Sequence, residues 1–260
     1  MGVAALVTAA LLAATSPVAF VQSHGANGAF SESGGTTDAL LTAWAVLGLR
    51  AAGATAPGSL TYLESQEASL TATTDVALVA LAEEALGDRN EGLLAKLVPR
   101  ANGRIGPTLN STYWSVLALG RSPAATTRFI LAHQSGSGGF SWAIGGQPDS
   151  NDTAAALEAL RVAHVHGAPV TRAVRFLRGF QNRDGGFELT RGRGSDAQST
   201  AWAIQGLVAA GAKPPRTAFA YLAKLKRADG SYRYSARYTA TPVWVTSQVL
   251  AALAKKPFPL

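Results

Sequence analysis

Two carboxylates flank an amide at the start of an apolar segment, in the run Asp149-Ser150-Asn151-Asp152-Thr153-Ala154. Carboxyl groups held close together shift each other's pKa, and one member of such a pair can serve as a general acid. Asp is also a preferred N-cap residue, and the segment that follows has the pattern of a helix. Two interpretations of Asp152 therefore stand, a catalytic acid and an N-cap, and we favour the cap.

Four of the tryptophans, Trp44, Trp114, Trp202 and Trp244, follow similar helix starts and share one position two residues after the cap. Aromatic rings that line a ligand cavity can stabilise a cation through their faces. Aromatic residues that recur at one position of a repeat more commonly serve packing, which we favour. Tyr113, beside Trp114, interrupts a pattern of small residues, and we expect it to reach a cavity. All five residues are candidate ligand contacts.

Other reactive side chains are scarce. The chain contains no Cys, which excludes disulfides and thiolate zinc sites. His164 and His166 lie two residues apart and so do not share a helical face. His24 and His133 stand alone in the sequence. We expect neither a metal nor another cofactor.

The candidate residues belong to a repeated segment. TTDALLTAWAVLGLRAAG, from Thr36, closely matches GSDAQSTAWAIQGLVAAG, from Gly194. Each copy opens with Ser, Thr or Asp, runs through Ala, Leu and Val, and usually ends at Gly, which is the pattern of a capped helix buried on all sides. The other four copies begin near Thr73, Asn110, Asn151 and Thr239.

A second type of segment, amphipathic and ending in a glycine turn and an aromatic residue, precedes most of these copies. Good examples are 126–140, 172–187 and 216–232. One such unit cannot bury its own apolar face, so the units must stack. The pattern predicts an all-α protein with six outer and six inner helices. The uniformly apolar inner helices favour closure into a single ring over an open solenoid.

The amphipathic segments resemble the QW motif of squalene-hopene and oxidosqualene cyclases. That motif places an aromatic–aliphatic pair before a Gln and then Gly-x-Trp, and in this chain Phe or Tyr replaces the Trp. The resemblance implies a single α/α toroid with a ligand cavity at its hub, and it implies that Gln134 and Gln181 cap helix ends. The copies are 129–140, 176–187, 221–232 with Lys226 in place of Gln, and a degraded 20–30.

The resemblance weakens at the catalytic acid. Squalene-hopene-type cyclases carry Asp-x-Asp-Asp-Thr-Ala, and the central Asp protonates an alkene. Asp149 and Asp152 match that motif, but Asn151 takes the position of the acid, and an amide cannot supply the proton. Asp152 is then the remaining candidate acid. Asp75 has the same position in an earlier copy, and we interpret it too as a cap.

Related toroids narrow the expected activity. Protein prenyltransferases bind zinc through Asp, Cys and His, and complement-type thioester domains need Cys, so the lack of Cys argues against both activities. Cobalamin carriers of the intrinsic-factor type are secreted rings that bind without catalysis. A toroid of this size therefore need not be an enzyme.

The N-terminus predicts export. Val3–Ala14 is almost wholly apolar and is followed by small residues, as in the apolar region and cleavage zone of a secretory signal. We predict a signal peptide over residues 1–16 and a toroid over residues 17–260, in a secreted or cell-envelope protein. The alternative for residues 3–14 is a first buried helix of the ring.

The charge pattern argues against nucleic acid as a partner. The net charge is +7, but only 15% of residues are charged, and no basic run is interleaved with aromatics. Arg172, Arg175 and Arg178 share one face of an outer helix. They indicate either contact with anionic membrane headgroups or, as we favour, a solvated outer face.

The sequence therefore predicts a secreted, terpene-cyclase-like ring that binds a hydrophobic or isoprenoid-like ligand in its hub without cyclase chemistry. The alternative is an enzyme of the terpene cyclase/mutase type, an isomerase or lyase in which Asp152 protonates a polyprene. A chain of 260 residues gives one ring, whereas squalene cyclases have two rings with the active site between them. That difference and Asn151 both favour binding.

Overall fold

The computed structural model describes residues 16–260, in which twelve α-helices form two concentric layers. The inner helices are α2 (Ala39–Ala51), α4 (Thr73–Leu86), α6 (Leu109–Leu119), α8 (Ser150–Val162), α10 (Ala197–Ala209) and α12 (Pro242–Ala254). The outer helices are α1 (Pro17–Ser23), α3 (Ser59–Gln66), α5 (Glu91–Leu94), α7 (Ala124–Ala132), α9 (Ala168–Arg178) and α11 (Arg216–Leu225).

The inner helices close into a ring. Each one contacts the next along the chain, and α12 contacts α2. The predicted single α/α toroid with six outer and six inner helices is confirmed. The outer layer is uneven, because α5 is a single turn of four residues.

Strand structure in the described residues is limited to two short antiparallel pairs. The first is β1 (Gly25–Ala26) with β2 (Ala29–Phe30), and the second is β3 (Phe140–Ser141) with β4 (Pro148–Asp149). Both pairs lie in the turns that lead from an outer helix to an inner helix. They position the aromatic residue of the turn against the ring.

Most inner helices begin at a side-chain cap. Asp38, Thr108, Asp149 and Asp196 each accept a hydrogen bond from the backbone N–H three residues further on. Such a cap satisfies a donor that the first turn would otherwise leave unpaired. These polar residues hold the beginnings of apolar helices at one end of the ring.

The last inner helix is capped by the first unit of the chain. Thr241 precedes α12 without a side-chain cap. Instead, the Glu32 carboxylate accepts the backbone N–H groups of Val243 (3.0 Å) and Trp244 (2.9 Å). A carboxylate at a helix N-terminus also interacts favourably with the helix dipole. Glu32 therefore joins the two ends of the ring.

A second hydrogen bond recurs in five inner helices, in four of them at the residue that follows the one whose N–H bonds the cap. A Thr hydroxyl there accepts the backbone N–H of the apolar residue in the preceding turn, which fixes that residue beneath the start of the helix. In α4 the position is Val76, so this unit lacks the bond. The pairs are Thr42–Phe30, Thr112–Ile105, Thr153–Phe140, Thr200–Phe187 and Thr246–Tyr232.

Gln181 and Gln134 connect successive units. Gln181 Nε2 donates to the carbonyl of Gly185 (2.9 Å) and to Thr217 Oγ1 (2.9 Å) in the first turn of α11. Gln134 Nε2 donates to its own turn and to the carbonyl of Pro169 (2.8 Å) in α9. Gly185 has φ +95°, and a Cβ there would lie 2.5 Å from the Thr217 carbonyl oxygen. The turn can approach the next outer helix because it carries no side chain.

The described residues contain no helix with both the length and the apolar character needed to cross a bilayer. The predicted signal peptide lies outside them except for Ser16, which caps α1. Arg172, Arg175 and Arg178 are exposed on α9, and Arg172 donates a hydrogen bond to the Gln134 side chain. Arg178 donates a long hydrogen bond to the Lys213 carbonyl (3.4 Å), and Arg175 is exposed.

Candidate functional site

Three indole rings meet at the hub of the ring. Trp44, Trp114 and Trp202 each lie six residues after the N-cap of their helix, not two as expected, on the alternate inner helices α2, α6 and α10. Their ring centroids are 5.4 to 5.7 Å apart, in edge-to-face arrangements. Aromatic rings at these separations are in contact. The three side chains therefore pack against one another at the centre of the hub.

Trp244 is not equivalent to the other three tryptophans. Thr246 makes the hydrogen bond that Thr200 makes in α10, so the residue of α12 equivalent to Trp202 is Gln248. The Gln248 Oε1 atom accepts the Trp202 Nε1–H (3.3 Å). Trp244 lies one turn earlier, with its ring 6.1 Å from that of Trp44. The sequence pattern aligned the tryptophans themselves, whereas the threonine sets the register.

Tyr113 points away from the hub, contrary to expectation. Its hydroxyl donates to the Ser141 carbonyl (3.4 Å), and its ring lies edge-to-face at 6.1 Å from Phe140 in β3. One residue along a helix is a rotation of about 100°, so a neighbour of hub-facing Trp114 faces the outer layer instead. Tyr113 is fully buried there, against the turn that contains β3.

The carboxyl pair lies at the beginning of α8, and its roles differ from those expected. Asp149 is the cap, because its Oδ1 atom accepts the backbone N–H of Asp152 (2.8 Å). Asp152 is the third residue of the helix, and its Oδ1 atom accepts the Asn110 side-chain amide (2.7 Å) from α6. Asp75 likewise is the third residue of α4, which begins after Ala72 without a side-chain cap. The register of these residues was predicted correctly, but their capping role was not.

The surroundings of Asp152 favour its neutral form. Burial raises its pKa to about 8, helped by the charge of Asp149 and opposed by the hydrogen bond from Asn110. Burial also raises the pKa of Asp149. No Lys, Arg or His in residues 16–260 forms an ion pair with either carboxylate. The Asn110 bond only partly stabilises the anion, and without a cationic partner Asp152 is a weak proton donor.

Asn151 lies between the two carboxylates, half-buried at the start of α8. Its Oδ1 atom accepts the Ser150 hydroxyl (3.2 Å). The amide has no acidic proton to transfer. This end of the ring therefore combines one capping carboxylate, one neutral carboxyl and one amide.

The opposite end of the hub is filled by the segment that follows α12, residues 255–260, here called the tail. Phe258 is 2% exposed, and its ring centroid lies 6.0 Å from that of Trp44 and 6.4 Å from that of Trp114. The tail begins where α12 ends, so it enters the ring from the C-terminal ends of the inner helices. Phe258 thus completes the aromatic cluster from outside the repeats.

Polar side chains of α8 hold the tail backbone. Arg161 Nη2 donates to the Phe258 carbonyl (2.6 Å), and Glu158 Oε2 accepts the Phe258 N–H (3.4 Å). Burial raises the pKa of Glu158 to about 8, opposed by nearby Arg161 and by that N–H. From α10, the Gln205 side-chain amide contributes a long bond to the Lys256 carbonyl (3.5 Å).

Glu158, Arg161 and Phe258 were not among the candidate residues predicted from the sequence. A signal for Glu158 was present, because a buried charge is costly unless it has a partner. Glu158 lies nine residues after its cap, and the corresponding residue of α10, Gln205, is also polar and also contacts the tail. In the other inner helices this position is apolar: Leu47, Leu81, Leu117 and Ala251.

Two surface clefts lie away from the hub. One, of about 710 Å³, is formed by the loops before α10 and α12 and includes Tyr221, Tyr234 and Arg193. The other, of about 550 Å³, lies between α9 and α11 and includes Arg178 and Lys213. Nowhere in residues 16–260 do three His, Asp or Glu side chains come together as a set of metal ligands.

Comparison with known proteins identifies the fold. No protein-family model and no curated protein matches the chain. A protein from Actinoplanes is similar in structure (TM-score 0.71, 17% identity, 94% of this chain and 98% of that one). The type II terpene cyclase MstE from Scytonema is also similar (TM-score 0.67, 15% identity, 95% of this chain and 97% of that one). The Candida albicans protein geranylgeranyltransferase-I complexed with GGPP is similar too (TM-score 0.61, 13% identity, 83% of each chain). The chain has the α/α-toroid fold of terpene cyclases and protein prenyltransferases.

Proposed function

We propose that this chain is a non-catalytic ring that binds a hydrophobic, isoprenoid-like ligand at its hub. The observation that carries the proposal is the meeting of three indole rings inside a closed ring of apolar helices. Ligand sites are usually concave and mostly apolar, with few polar groups. Here Glu158, Arg161 and Gln205 are the polar groups nearest to the tail end of that cluster.

Proteins of the same fold guide the choice of ligand. MstE has been solved with geranylgeranyl dihydroxybenzoate as its substrate, and the Candida albicans transferase with GGPP. Those ligands belong to those proteins, which share only 15% and 13% identity with this chain. They make a geranylgeranyl chain the reasonable first probe, and the aromatic hub is compatible with such a chain.

We propose no cyclase chemistry because the chain lacks a strong acid at the position of the catalytic Asp. Protonating an alkene needs a strong acid whose anion is stabilised after the proton leaves. Asn151 has no such proton, and the raised pKa of Asp152, about 8, makes it a weak donor. The alternative enzyme would use Asp152 against a polyprene. In its favour, that carboxyl is buried, and its raised pKa favours the protonated form at neutral pH.

Export is part of the proposal. The apolar run Val3–Ala14 supports a signal peptide and a secreted or cell-envelope location. N-terminal sequencing of protein recovered from the medium or envelope should begin near residues 14–16. Recovery of cytoplasmic protein with intact Met1 contradicts export and leaves the ligand proposal unaffected.

The ligand proposal is tested by titrating the purified protein with geranylgeraniol while following tryptophan fluorescence. We expect saturable binding that weakens in Trp114→Phe, because that ring belongs to the hub cluster. The matched control is Trp142→Phe, since Trp142 is 59% exposed on the β3–β4 loop. Equal binding by both variants, or no binding by the unaltered protein, rules out the hub as the ligand site.

Catalysis is tested separately by gas chromatography after long incubation with squalene and shorter polyprenes. We expect no cyclic product. Product formed by the unaltered protein and lost in Asp152→Asn establishes the enzyme instead, with Asp152 as its acid.

A further inference from the structure

The indole rings of the hub already contact one another, so a ligand needs space that is now occupied. We infer that the tail, residues 255–260, is a built-in plug that competes with the ligand for the hub and must leave before the ligand enters. This inference rests on the proposed function, because it concerns access to the same site. It concerns one element, the non-helical segment whose Phe258 ring lies against Trp44 and Trp114.

Phe258 is the one fully buried side chain of the tail. Phe258 is 2% exposed, but Lys255 and Lys256 on one side and Leu260 on the other are exposed, with Leu260 at 46%. A short segment anchored by one buried ring can open locally while the rest of the fold persists. The tryptophans cannot leave in this way, because each belongs to a helix of the closed ring.

The polar contacts of the tail are imperfect. The Glu158 Oε2 to Phe258 N distance is 3.4 Å, and that from Gln205 Nε2 to the Lys256 oxygen is 3.5 Å, both at the upper limit for hydrogen bonds. The Nε atom of Arg161 is buried without an acceptor. Only the Arg161 to Phe258 carbonyl bond, at 2.6 Å, is short. A permanent seal would be expected to satisfy these groups better.

Departure of Phe258 would uncover a site with recognisable chemistry. Its apolar walls are the ring faces of Trp44 and Trp114 that Phe258 now covers. Its rim carries Arg161, whose donor to the Phe258 carbonyl becomes free, and Glu158 beside it. The site would therefore accept an unbranched or prenyl chain that ends in an oxygen acceptor, which replaces the Phe258 carbonyl.

The expected effect follows from the population of the open state. The apparent dissociation constant of a ligand equals its intrinsic value divided by the fraction of molecules that are open. A plug that is closed in nine molecules of ten therefore weakens binding about tenfold, and a tighter plug weakens it more. Removing the plug should restore the intrinsic affinity.

The test compares geranylgeraniol binding by the unaltered protein, Phe258→Ala, Arg161→Ala and a variant lacking residues 256–260. We expect Phe258→Ala and the shortened variant to bind about tenfold more tightly or better. Arg161→Ala should gain less than either, because it loosens the tail but also removes the donor for the ligand oxygen. The control is Leu260→Ala, in the same segment but exposed, and it should bind like the unaltered protein. Circular dichroism establishes that each variant is folded, and the point variants keep the test valid if the shortened chain does not fold.

A second arm tests the plug without relying on the proposed ligand. The synthetic peptide KKPFPL should bind the variant lacking residues 256–260, compete with geranylgeraniol, and lose affinity when its Phe is replaced by Ala. Equal geranylgeraniol affinity in all variants overturns the plug and leaves the proposed function standing. Peptide binding in a protein that never binds geranylgeraniol makes the tail a structural seal, which overturns both the plug and the proposed function.

Discussion

Helix α8 carries a buried carboxyl near each end of the hub, and the two ends differ in what surrounds that carboxyl. Asp152 lies in the first turn and contacts Asn110 and Asp149, which belong to the beginnings of inner helices. Glu158 lies towards the other end and contacts the backbone of Phe258 in the tail. Both have a pKa of about 8, raised by burial. One end is thus built from fixed parts of the ring, and the other from a segment that can leave.

The comparison shows why similar carboxyls suit different roles. The chemical environment of Asp152 is set by the fold itself, so it changes only if the ring changes. The environment of Glu158 depends on whether the tail is docked. A buried neutral carboxyl at the fixed end therefore keeps its surroundings when the tail moves, while one at the open end can respond to a ligand.

The largest expected effect distinguishes the centre of the hub from its edges. Trp114→Ala should lower the free energy of unfolding by about 3–5 kcal/mol, because it leaves a cavity inside a closed ring. Trp142→Ala, at the exposed fifth tryptophan, should change it by less than about 0.5 kcal/mol. Urea denaturation measures both values. A cost for Trp114→Ala as small as the control would mean that the hub is loosely packed.

The second largest expected effect is the pH dependence of the free energy of unfolding. Because burial raises the folded-state pKa of Asp152 and of Glu158 to about 8, the folded protein holds these protons more tightly than the unfolded chain does. The free-energy cost of ionising these buried carboxyls is absent below about pH 4, where they are protonated in both the folded and the unfolded protein. This cost develops as pH rises towards 8. Stability should therefore fall across this range and then level off.

Two neutral replacements sharpen that expectation. Asp152→Asn and Glu158→Gln should each flatten the fall in stability between pH 4 and 8 by about 1 kcal/mol or more, since one pKa unit is worth about 1.4 kcal/mol. Some slope should remain, because burial also raises the pKa of Glu83 to about 7. If Phe258→Ala removes the Glu158 contribution but not that of Asp152, the two ends differ as described. Thermal unfolding across pH measures this, and an unchanged slope in both variants would contradict the buried, neutral state.

The sequence was sufficient for the fold because every unit repeats the same signals. Capping residues, wholly apolar helices and glycine turns recur, so a helix whose pattern is ambiguous in one copy can be recognised from the other copies. It was less informative at the hub, where the copies differ. Trp244 was aligned by residue type, although the threonine that bonds the turn sets the register. Phe258 belongs to no copy, so no periodicity could place it against Trp44 and Trp114.

The smallest expected effect concerns the fixed end of the hub. Asp149 accepts the N–H of Asp152 as the cap of α8, and losing such a cap costs about 0.5–2 kcal/mol. Asp149→Ala should therefore destabilise the protein by about 1 kcal/mol at neutral pH. Asp152→Asn should not, because the amide can still accept the bond from Asn110 through its oxygen and replaces a carboxyl that is already neutral. The control is Gln198→Ala, which changes a half-buried residue near the start of α10 that is not its cap. Ser150→Ala is unsuitable as a control, because the Ser150 hydroxyl donates to the Glu188 carbonyl. Denaturant titration at pH 7 ranks the variants, and a larger cost for Asp152→Asn than for Asp149→Ala would return the capping role to Asp152.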